Sequence, residues 1–81
     1  MKICVLERGL VLVGNLEKDG EEFVLTNAYI IRGCGTTEDL GKLAMKGPLP
    51  ETKLEKTPLV RFNKCQMIFC ISCEESKWKL T

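Results

Sequence analysis

Residues 3–32 of the chain decide its fold, and they read ICVLERGLVLVGNLEKDGEEFVLTNAYIIR. Two runs rich in Val, Leu and Ile flank a polar segment that contains the pair Asp19-Gly20. An Asp-Gly pair between apolar runs is a strong β-hairpin signal, because both central residues of such a turn need a positive φ. We therefore predict two antiparallel strands, over residues 3–16 and 21–32, joined by a two-residue turn at Asp19-Gly20.

This turn would also set the register of the hairpin, with Leu16 opposite Phe23 on the face that forms the core. At roughly 3.3 Å per residue, strands of this length are too long to lie flat in a small domain, so they must bend. Glycine inside a strand marks a bulge or a sharp corner. We expect the first strand to bend at Gly9 and Gly14.

Residues 33–58 differ in composition, since they hold four of the seven glycines and all three prolines. They predict a loop insertion that contains one short helix. Thr37 is suited to cap the start of this helix, and Gly47-Pro48 would end it. The apolar face of the helix would consist of Leu40, Leu43 and Ala44.

Two more strands are expected near the end of the chain, over residues 59–62 and 67–73, with a tight turn at residues 63–64. The last strand reads MIFCISC and is apolar on both faces. In a small domain, one face of such a strand would lie in its own core and the other against a partner subunit. Residues 74–81 form a polar tail, whose Trp78 either docks on a neighbour or flanks a frayed end.

The size of the chain argues for assembly. A single domain of 81 residues, spanning the whole of 1–81, buries only about 60% of the surface that its unfolded chain exposes, so a monomer would be marginally stable. A closed homo-oligomer would supply the missing burial. The chain has no apolar run of about 18 residues or more and no export signal, so we expect a cytoplasmic protein without a membrane partner.

The composition excludes several classes of function. There are 12 Lys and Arg against 11 Asp and Glu, and no His. Without His, the chain cannot form a Ser-His-Asp or Cys-His catalytic arrangement, nor a zinc site that needs imidazole. No nucleophile has a visible base, so we expect a protein that is not an enzyme and has no cofactor. A net charge of +1 gives no reason for strong non-specific binding to nucleic acid.

The sharpest chemical candidate is the spacing Cys65-x4-Cys70-x2-Cys73, with Cys34 as a possible fourth zinc ligand. On a strand, however, residues i and i+3 point to opposite faces, so Cys70 and Cys73 cannot share a metal without a bulge. We therefore predict no metal site, with reduced thiols instead of a disulfide framework and zinc as the alternative. The remaining cysteine is Cys4.

Aromatic and basic residues suggest a second candidate site. Tyr29, Arg32, Arg61 and Lys64 are suited to a stacking and cationic surface for single-stranded RNA. The alternative is that the tyrosine lies at the rim of the fold and the charges are simply solvated. Residues 33–37 precede a helix, and they are either an anion-binding loop or a plain loop with an N-cap.

The hairpin resembles the first signature block of the Sm-like fold, on Gly9, Gly14, Leu16, an acidic turn, Leu25 and Ala28. The ending LVRFNKCQMIFCISC is similar to the last two strands of that fold. The middle of the chain resembles small Sm-like proteins encoded by phages and prophages. That likeness rests on Ile31-Arg32, Gly35-Thr36-Thr37, Leu40-Gly41, Leu43-Ala44, Gly47-Pro48, Thr52, Leu54 and Glu55.

The resemblance covers roughly residues 5–73 and implies an all-β fold: a small, strongly bent five-stranded antiparallel Sm-like barrel of the SH3 type, with a short helical insertion between strands. It also implies a homo-oligomeric ring of roughly five to seven copies, in which the fourth strand of one subunit pairs with the fifth strand of the next. The expected interface residues are Val60, Phe62, Ile68 and Cys70.

The expected function is a binding or scaffolding role, with RNA as a candidate ligand; the alternative is a structural or morphogenetic phage protein that binds only protein. RNA-binding members of the family use an Asp and an Asn in one loop and an Arg-Gly pair in another. This chain has the acidic turn 19–22 without Asn in the first loop, and Asn63-Lys64 in the second. The expected RNA-binding residues are Tyr29, Arg32, Arg61, Asn63 and Lys64.

Overall fold

The computed structural model describes residues 1–32, 37–48 and 52–78. These residues form a mostly antiparallel β-sheet of six strands and one short helix. The elements are β1 (Lys2–Leu6), β2 (Val11–Asp19), β3 (Glu22–Arg32), α1 (Thr37–Lys46), β4 (Lys53–Lys56), β5 (Val60–Asn63) and β6 (Met67–Ser72). The sheet order is β4-β3-β2-β1-β6, and β5 also pairs with β3. The all-β class with a helical insertion is therefore confirmed.

The predicted single strand over residues 3–16 is wrong, because the chain turns back at the 3₁₀ turn Glu7–Gly9. Arg8 and Gly9 both have positive φ, 66° and 73°. The N–H of Leu6 donates to the carbonyl of Leu10 at 2.8 Å, which closes the turn. The charged pair Glu7-Arg8 interrupts the apolar run, so β1 folds back onto β2 as a separate antiparallel strand. This raises the strand count above the expected five.

The hairpin between β2 and β3 is present, but its predicted register is wrong. Leu16 lies opposite Leu25, and Asp19 lies opposite Glu22. The two central turn residues are therefore Gly20 and Glu21, with Gly20 at a φ of 65°. A glycine with positive φ at the first central position is the type II′ pattern, which suits the twist of the flanking strands. The glycine, rather than the Asp-Gly pair, determines where the turn is centred.

The predicted bend at Gly14 is present as a β-bulge. The register shifts between Val13, which lies opposite Tyr29, and Asn15, which lies opposite Thr26. The extra residue on β3 is accommodated by Asn27, whose φ is 51°. A Cβ on Gly14 would lie 2.8 Å from the carbonyl oxygen of Thr26. Only glycine allows the two strands to approach this closely.

Two apolar clusters lie on opposite faces of the sheet. The first lies between the sheet and the helix, and its buried members are Ile3, Val5, Val13, Ile31, Leu40, Leu43, Ala44 and Trp78. The second lies on the other face, and its buried members are Cys4, Leu6, Leu12, Leu25, Ala28 and Phe62. Phe62 from β5, which pairs with β3, and Cys70 from β6, the end strand beside β1, reach this second cluster from opposite sides of the sheet. The sheet is therefore curled, and among the described strands no ladder joins β5 to β6.

The predicted helix is confirmed, and its apolar face of Leu40, Leu43 and Ala44 is buried. Gly47 follows it with a φ of 84°. The side chain of Thr37, expected as the cap, lies outside the described part of the chain. In contrast, β4 occupies a stretch that was expected to be loop. Its sequence KLEK has one apolar residue, so no strand pattern was visible.

Both expected placements of Trp78, on a neighbour or beside a frayed end, are wrong, because Trp78 is only 2% exposed and packs in the first cluster of its own domain. Its indole N–H donates to the carbonyl of Ala44. Within the described ranges, α1 has 10 residues, and no helix there has the length and apolar character needed to cross a bilayer.

Candidate functional site

The two loops named by the Sm-like resemblance lie side by side in the structure. One is the turn between β2 and β3, and the other is the 3₁₀ turn Lys64–Gln66 between β5 and β6. Because β5 pairs with the start of β3, Asn63 lies directly opposite Glu22. The backbone N–H of Lys64 also donates to the carbonyl of Glu21 at 3.4 Å. We call this end of the molecule, residues 19–22 and 61–66, the loop end.

The electrostatics of the loop end disfavour phosphate. Arg61 Nη1 lies 3.1 Å from Asp19 Oδ2 and 4.0 Å from Glu22 Oε1. All three side chains are exposed, so the pairing is worth little stability, but it neutralises the charge of the arginine. Glu21 adds a further carboxylate beside them. Asp19 and Glu22 are therefore paired with the Arg61 guanidinium, which was expected to bind RNA.

Asn63 serves the loop as a turn residue. Its side-chain Oδ1 accepts the N–H of Cys65 at 3.1 Å, and its own N–H donates to Gln66 Oε1 at 2.7 Å. This reciprocal pair is a capping box, which satisfies two backbone donors at the start of the 3₁₀ turn. The side-chain oxygen is thus committed to the turn, while the neighbouring Lys64 is exposed.

Tyr29 and Arg32 lie at the opposite end of β3, where β4 pairs with it. Lys56 Nζ lies 4.9 Å from the centroid of the Tyr29 ring, a cation–π geometry. Arg32 Nε lies 2.5 Å from Glu55 Oε2. We call this region, residues 29–32 with 53–56, the β4 end.

The five predicted RNA-binding residues therefore do not form one site. The distance along β3 from Glu22 to Tyr29 is seven residues, or roughly 20 Å at strand rise. Sequence reasoning missed the two lysines of the β4 end, Lys53 and Lys56, because they lie in the stretch expected to be loop. No sequence signal marked them, because β4 reads KLEK and its single apolar residue shows no strand alternation.

A small cleft of about 310 Å³ opens beside the turn Glu7–Gly9. It is lined by Leu6, Glu7, Arg8, Leu10 and Gln66. Its volume is at the low end of the roughly 300–1,000 Å³ typical of small-molecule sites. The sequence did not indicate it, because the turn that forms it was expected to be part of one long strand.

The predicted interface residues lie on the two edge strands, β5 and β6, but their side chains differ in accessibility. Phe62 is buried in the second cluster, and both Val60 and Cys70 pack against that cluster. Ile68 is 61% exposed. It is the extra residue of a bulge, because Val5 lies opposite Phe69 whereas Leu6 lies opposite Met67. Ile68 therefore presents an exposed side chain to a partner strand. The other three positions present mainly backbone N–H and C=O groups.

The cysteines are distributed as the strand argument predicted. Cys70 packs in the second cluster and Cys73 in the first, on opposite faces of the sheet. Burial raises the pKa of Cys73 to about 11. It also raises the pKa of Cys4 to about 11, and the neighbouring Cys70 adds to that rise. Over 1–32, 37–48 and 52–78, no three side chains of the metal-binding types cluster, and Cys34 lies outside these ranges.

The chain was also compared with known proteins. It matches no protein-family model and no curated protein.

Proposed function

We propose that this protein is an Sm-like scaffold that assembles into a homo-oligomeric ring through its edge strands. The observation that carries this proposal is the pair of free edges on the curled sheet. With β4 treated as an accessory strand, β5 and β6 are the fourth and fifth strands. β6 is one end of the sheet order, and β5 pairs with β3 outside that order, on the same side of β3 as the end strand β4. These are the two strands that the Sm-like resemblance pairs across subunits.

Each edge strand carries unpaired N–H and C=O groups that template pairing with another strand. The β5 edge differs from the β6 edge, so contact between them is heterologous, and it closes into a ring when the rotation per subunit permits. An exposed apolar side chain accompanies each edge: Leu59, 55% exposed, precedes β5, and Ile68 lies on β6. Pairing of the edges would bury both.

RNA bound by the ring is the second candidate function, and the β4 end is the observation that favours it. There, Tyr29 and Lys56 combine an aromatic ring with a cation on one face of the sheet. Arg32, which is paired with Glu55, and Lys53 lie on the other face, so an RNA strand would run along the β4 edge to reach both lysines. Stacking and cationic contacts are what single-stranded nucleic acid requires of a protein surface. The carboxylates of the loop end instead favour the alternative, a structural phage protein that binds only protein partners.

The ring is tested by the mass of the native protein in light scattering over a range of concentrations. We expect a multiple of the 9.1 kDa chain mass. The diagnostic variant is Ile68→Lys, which places a charge on the β6 edge. Its matched control is Met45→Lys, since Met45 is equally exposed at 60% but lies on α1.

Ile68→Lys should shift the assembly towards the monomer, while Met45→Lys should leave the mass unchanged. A native mass near 9.1 kDa for the unmodified protein would overturn the ring proposal. The RNA candidate is tested separately by fluorescence anisotropy with labelled oligo-U and oligo-A at low salt. If neither binds at micromolar protein, the protein-only function stands.

A further inference from the structure

Cys4 and Cys70 face each other across the ladder between β1 and β6. They are register partners, and both side chains pack in the second cluster. Cys70 also contributes to the raised pKa of Cys4, as expected for two thiols in close proximity. Among the cysteines of the described residues, this is the only pair whose members lie opposite each other on adjacent strands.

The hydrogen-bond pattern of the ladder defines the geometry of this pair. The N–H of Cys73 donates to the carbonyl of Met1 at 3.0 Å, so Met1 and Cys73 are a hydrogen-bonded pair. Such pairs alternate with non-hydrogen-bonded ones along antiparallel strands. In the unbroken register from Lys2 opposite Ser72 to Val5 opposite Phe69, Cys4 and Cys70 are therefore a non-hydrogen-bonded pair.

In a non-hydrogen-bonded pair the Cα atoms are about 4.5 Å apart and the side chains are at their closest. A disulfide spans Cα separations of about 4.4–6.8 Å. The backbone thus already holds these two thiols where a bond between them requires no movement of either strand.

The two thiols differ in solvent accessibility, and this difference determines which of them reacts first. Cys4 is fully buried, whereas Cys70 is only partly buried and lies on the edge strand of the sheet. A small oxidant therefore reaches Cys70 first. Cys4, which lies beside Cys70 in the core, then reacts with the modified Cys70.

We propose that Cys4 and Cys70 form a reversible cross-strand disulfide when the protein meets a low-molecular-weight disulfide such as oxidised glutathione. The Cys70 thiol loses its proton and attacks the small disulfide, whose S–S bond breaks; a mixed disulfide forms, and one thiol leaves with that proton. The Cys4 sulfur then attacks Cys70 Sγ, the mixed disulfide breaks, and the second thiol leaves with the proton of Cys4. Two protein thiols are oxidised to one disulfide, and one small disulfide is reduced to two thiols.

This bond would join the first strand of the sheet to the last. It closes a loop from residue 4 to residue 70, and a cross-link of a loop that long raises Tm by at least about 10 °C in a domain of this size. The bond forms within one chain, because β1 and β6 belong to the same chain. A ring that covers the β6 edge would restrict the access of glutathione to Cys70, so the test is run on Ile68→Lys as well as on the unmodified protein.

The test treats the folded protein with oxidised glutathione at pH 8, quenches it with a maleimide, and maps linked peptides by mass spectrometry. Variants Cys65→Ser and Cys73→Ser remove the exposed cysteine and the one on the opposite face. We expect the Cys4–Cys70 peptide pair in the unmodified protein and in both of these variants. The bond should raise Tm, and dithiothreitol should reverse the rise.

Cys70→Ser should abolish both the linked peptides and the rise in Tm. Cys4→Ala should stop at glutathione attached to Cys70. Because Cys4 is buried and its loss could unfold the domain, Cys70→Ser on the edge strand is the deciding variant. The proposal is overturned if the unmodified protein stays reduced, if Cys70 accumulates only the mixed disulfide, or if the linked peptides involve other cysteines.

Discussion

The indole N–H of Trp78 donates to the carbonyl oxygen of Ala44 at 3.0 Å. The N–H of Glu74 donates to the same oxygen at 2.9 Å. In a continuing helix this carbonyl would accept from residue 48, but that residue is proline and has no N–H. The segment after β6 therefore satisfies a carbonyl that the end of α1 would otherwise leave buried and unpaired.

This contact predicts that the segment after β6 stabilises the domain. Trp78→Ala should lower the free energy of unfolding by about 3–5 kcal/mol, because it empties a buried site in the first cluster. Trp78→Phe, which keeps most of the volume but loses the N–H, should cost about 1–2 kcal/mol. Urea unfolding followed by circular dichroism measures both. Met45→Ala, on the exposed side of α1, is the control; equal effects for Trp78→Ala and Met45→Ala would contradict the docking of Trp78.

Two glycine-to-alanine substitutions should have opposite effects. In Gly14→Ala the new methyl group would meet the Thr26 carbonyl oxygen at 2.8 Å, and the bulge must open to accept it. We expect a loss of about 1–3 kcal/mol, as for other overpacked sites. Gly41→Ala lies in α1 with nothing within 4 Å, so it should stabilise the domain by about 0.5–1 kcal/mol. Thermal unfolding of the pair checks this, and a tolerated Gly14→Ala would argue against the bulge.

If the ring binds single-stranded RNA, the β4 end should carry the binding. The double variant Lys53→Ala, Lys56→Ala should raise the Kd for oligo-U at least about tenfold and reduce the salt slope by roughly 1.4, at about 0.7 per phosphate contact. The double variant Arg61→Ala, Lys64→Ala removes the same charge from the loop end and should change Kd less than about twofold, because Arg61 is already paired with Asp19. The reverse ranking, in anisotropy titrations, would assign RNA to the loop end.

Burial of Cys4 predicts a loss of stability in alkali. Its pKa is raised from 9.0 to about 11, so between these values the unfolded chain ionises first and the folded state loses its advantage. The stabilisation of the folded state by the protonated Cys4 thiol is complete below pH 9. As the pH approaches 11, the free energy of unfolding should fall by about 2 kcal/mol on account of this group. Urea midpoints at pH 8 and pH 10.5, under reducing conditions, measure it. Cys4→Val, which keeps an apolar side chain there, should remove about half of the decline, because burial also raises the pKa of Cys73 to about 11. An unchanged slope would contradict the assignment.

The features that were predictable from sequence are local ones. The helix Thr37–Lys46 has its apolar residues at helical spacing and a glycine just after its end, so its existence and buried face followed directly. Gly14 predicted a bend, because glycine inside an apolar strand usually marks a bulge or a sharp corner. The opposite faces of Cys70 and Cys73 followed from the two-residue period of a strand.

The features that were missed depend on partners far away in the chain. β4 has one apolar residue, and it is a strand only because β3 offers it an unpaired edge. The hairpin register shifted by two residues because Gly20 alone supplies the positive φ, and the bulge at Gly14 then reset the pairing further on. The five expected RNA-binding residues were separated for the same reason: Tyr29 and Arg32 lie at one end of β3, and β5 pairs Arg61 and Asn63 with the other end.

By itself, the sequence determined an all-β domain with one amphipathic helix, a central glycine-bent hairpin and an apolar last strand. Periodicity and glycine positions encode those features locally. Only the tertiary structure decided that β4 and β5 share one side of β3 while β6 is the strand at the other end of the sheet, that acidic side chains neutralise Arg61, and that Cys4 lies opposite Cys70. Each of these is a pairing between segments distant in sequence, and its register comes from the packing of the whole sheet.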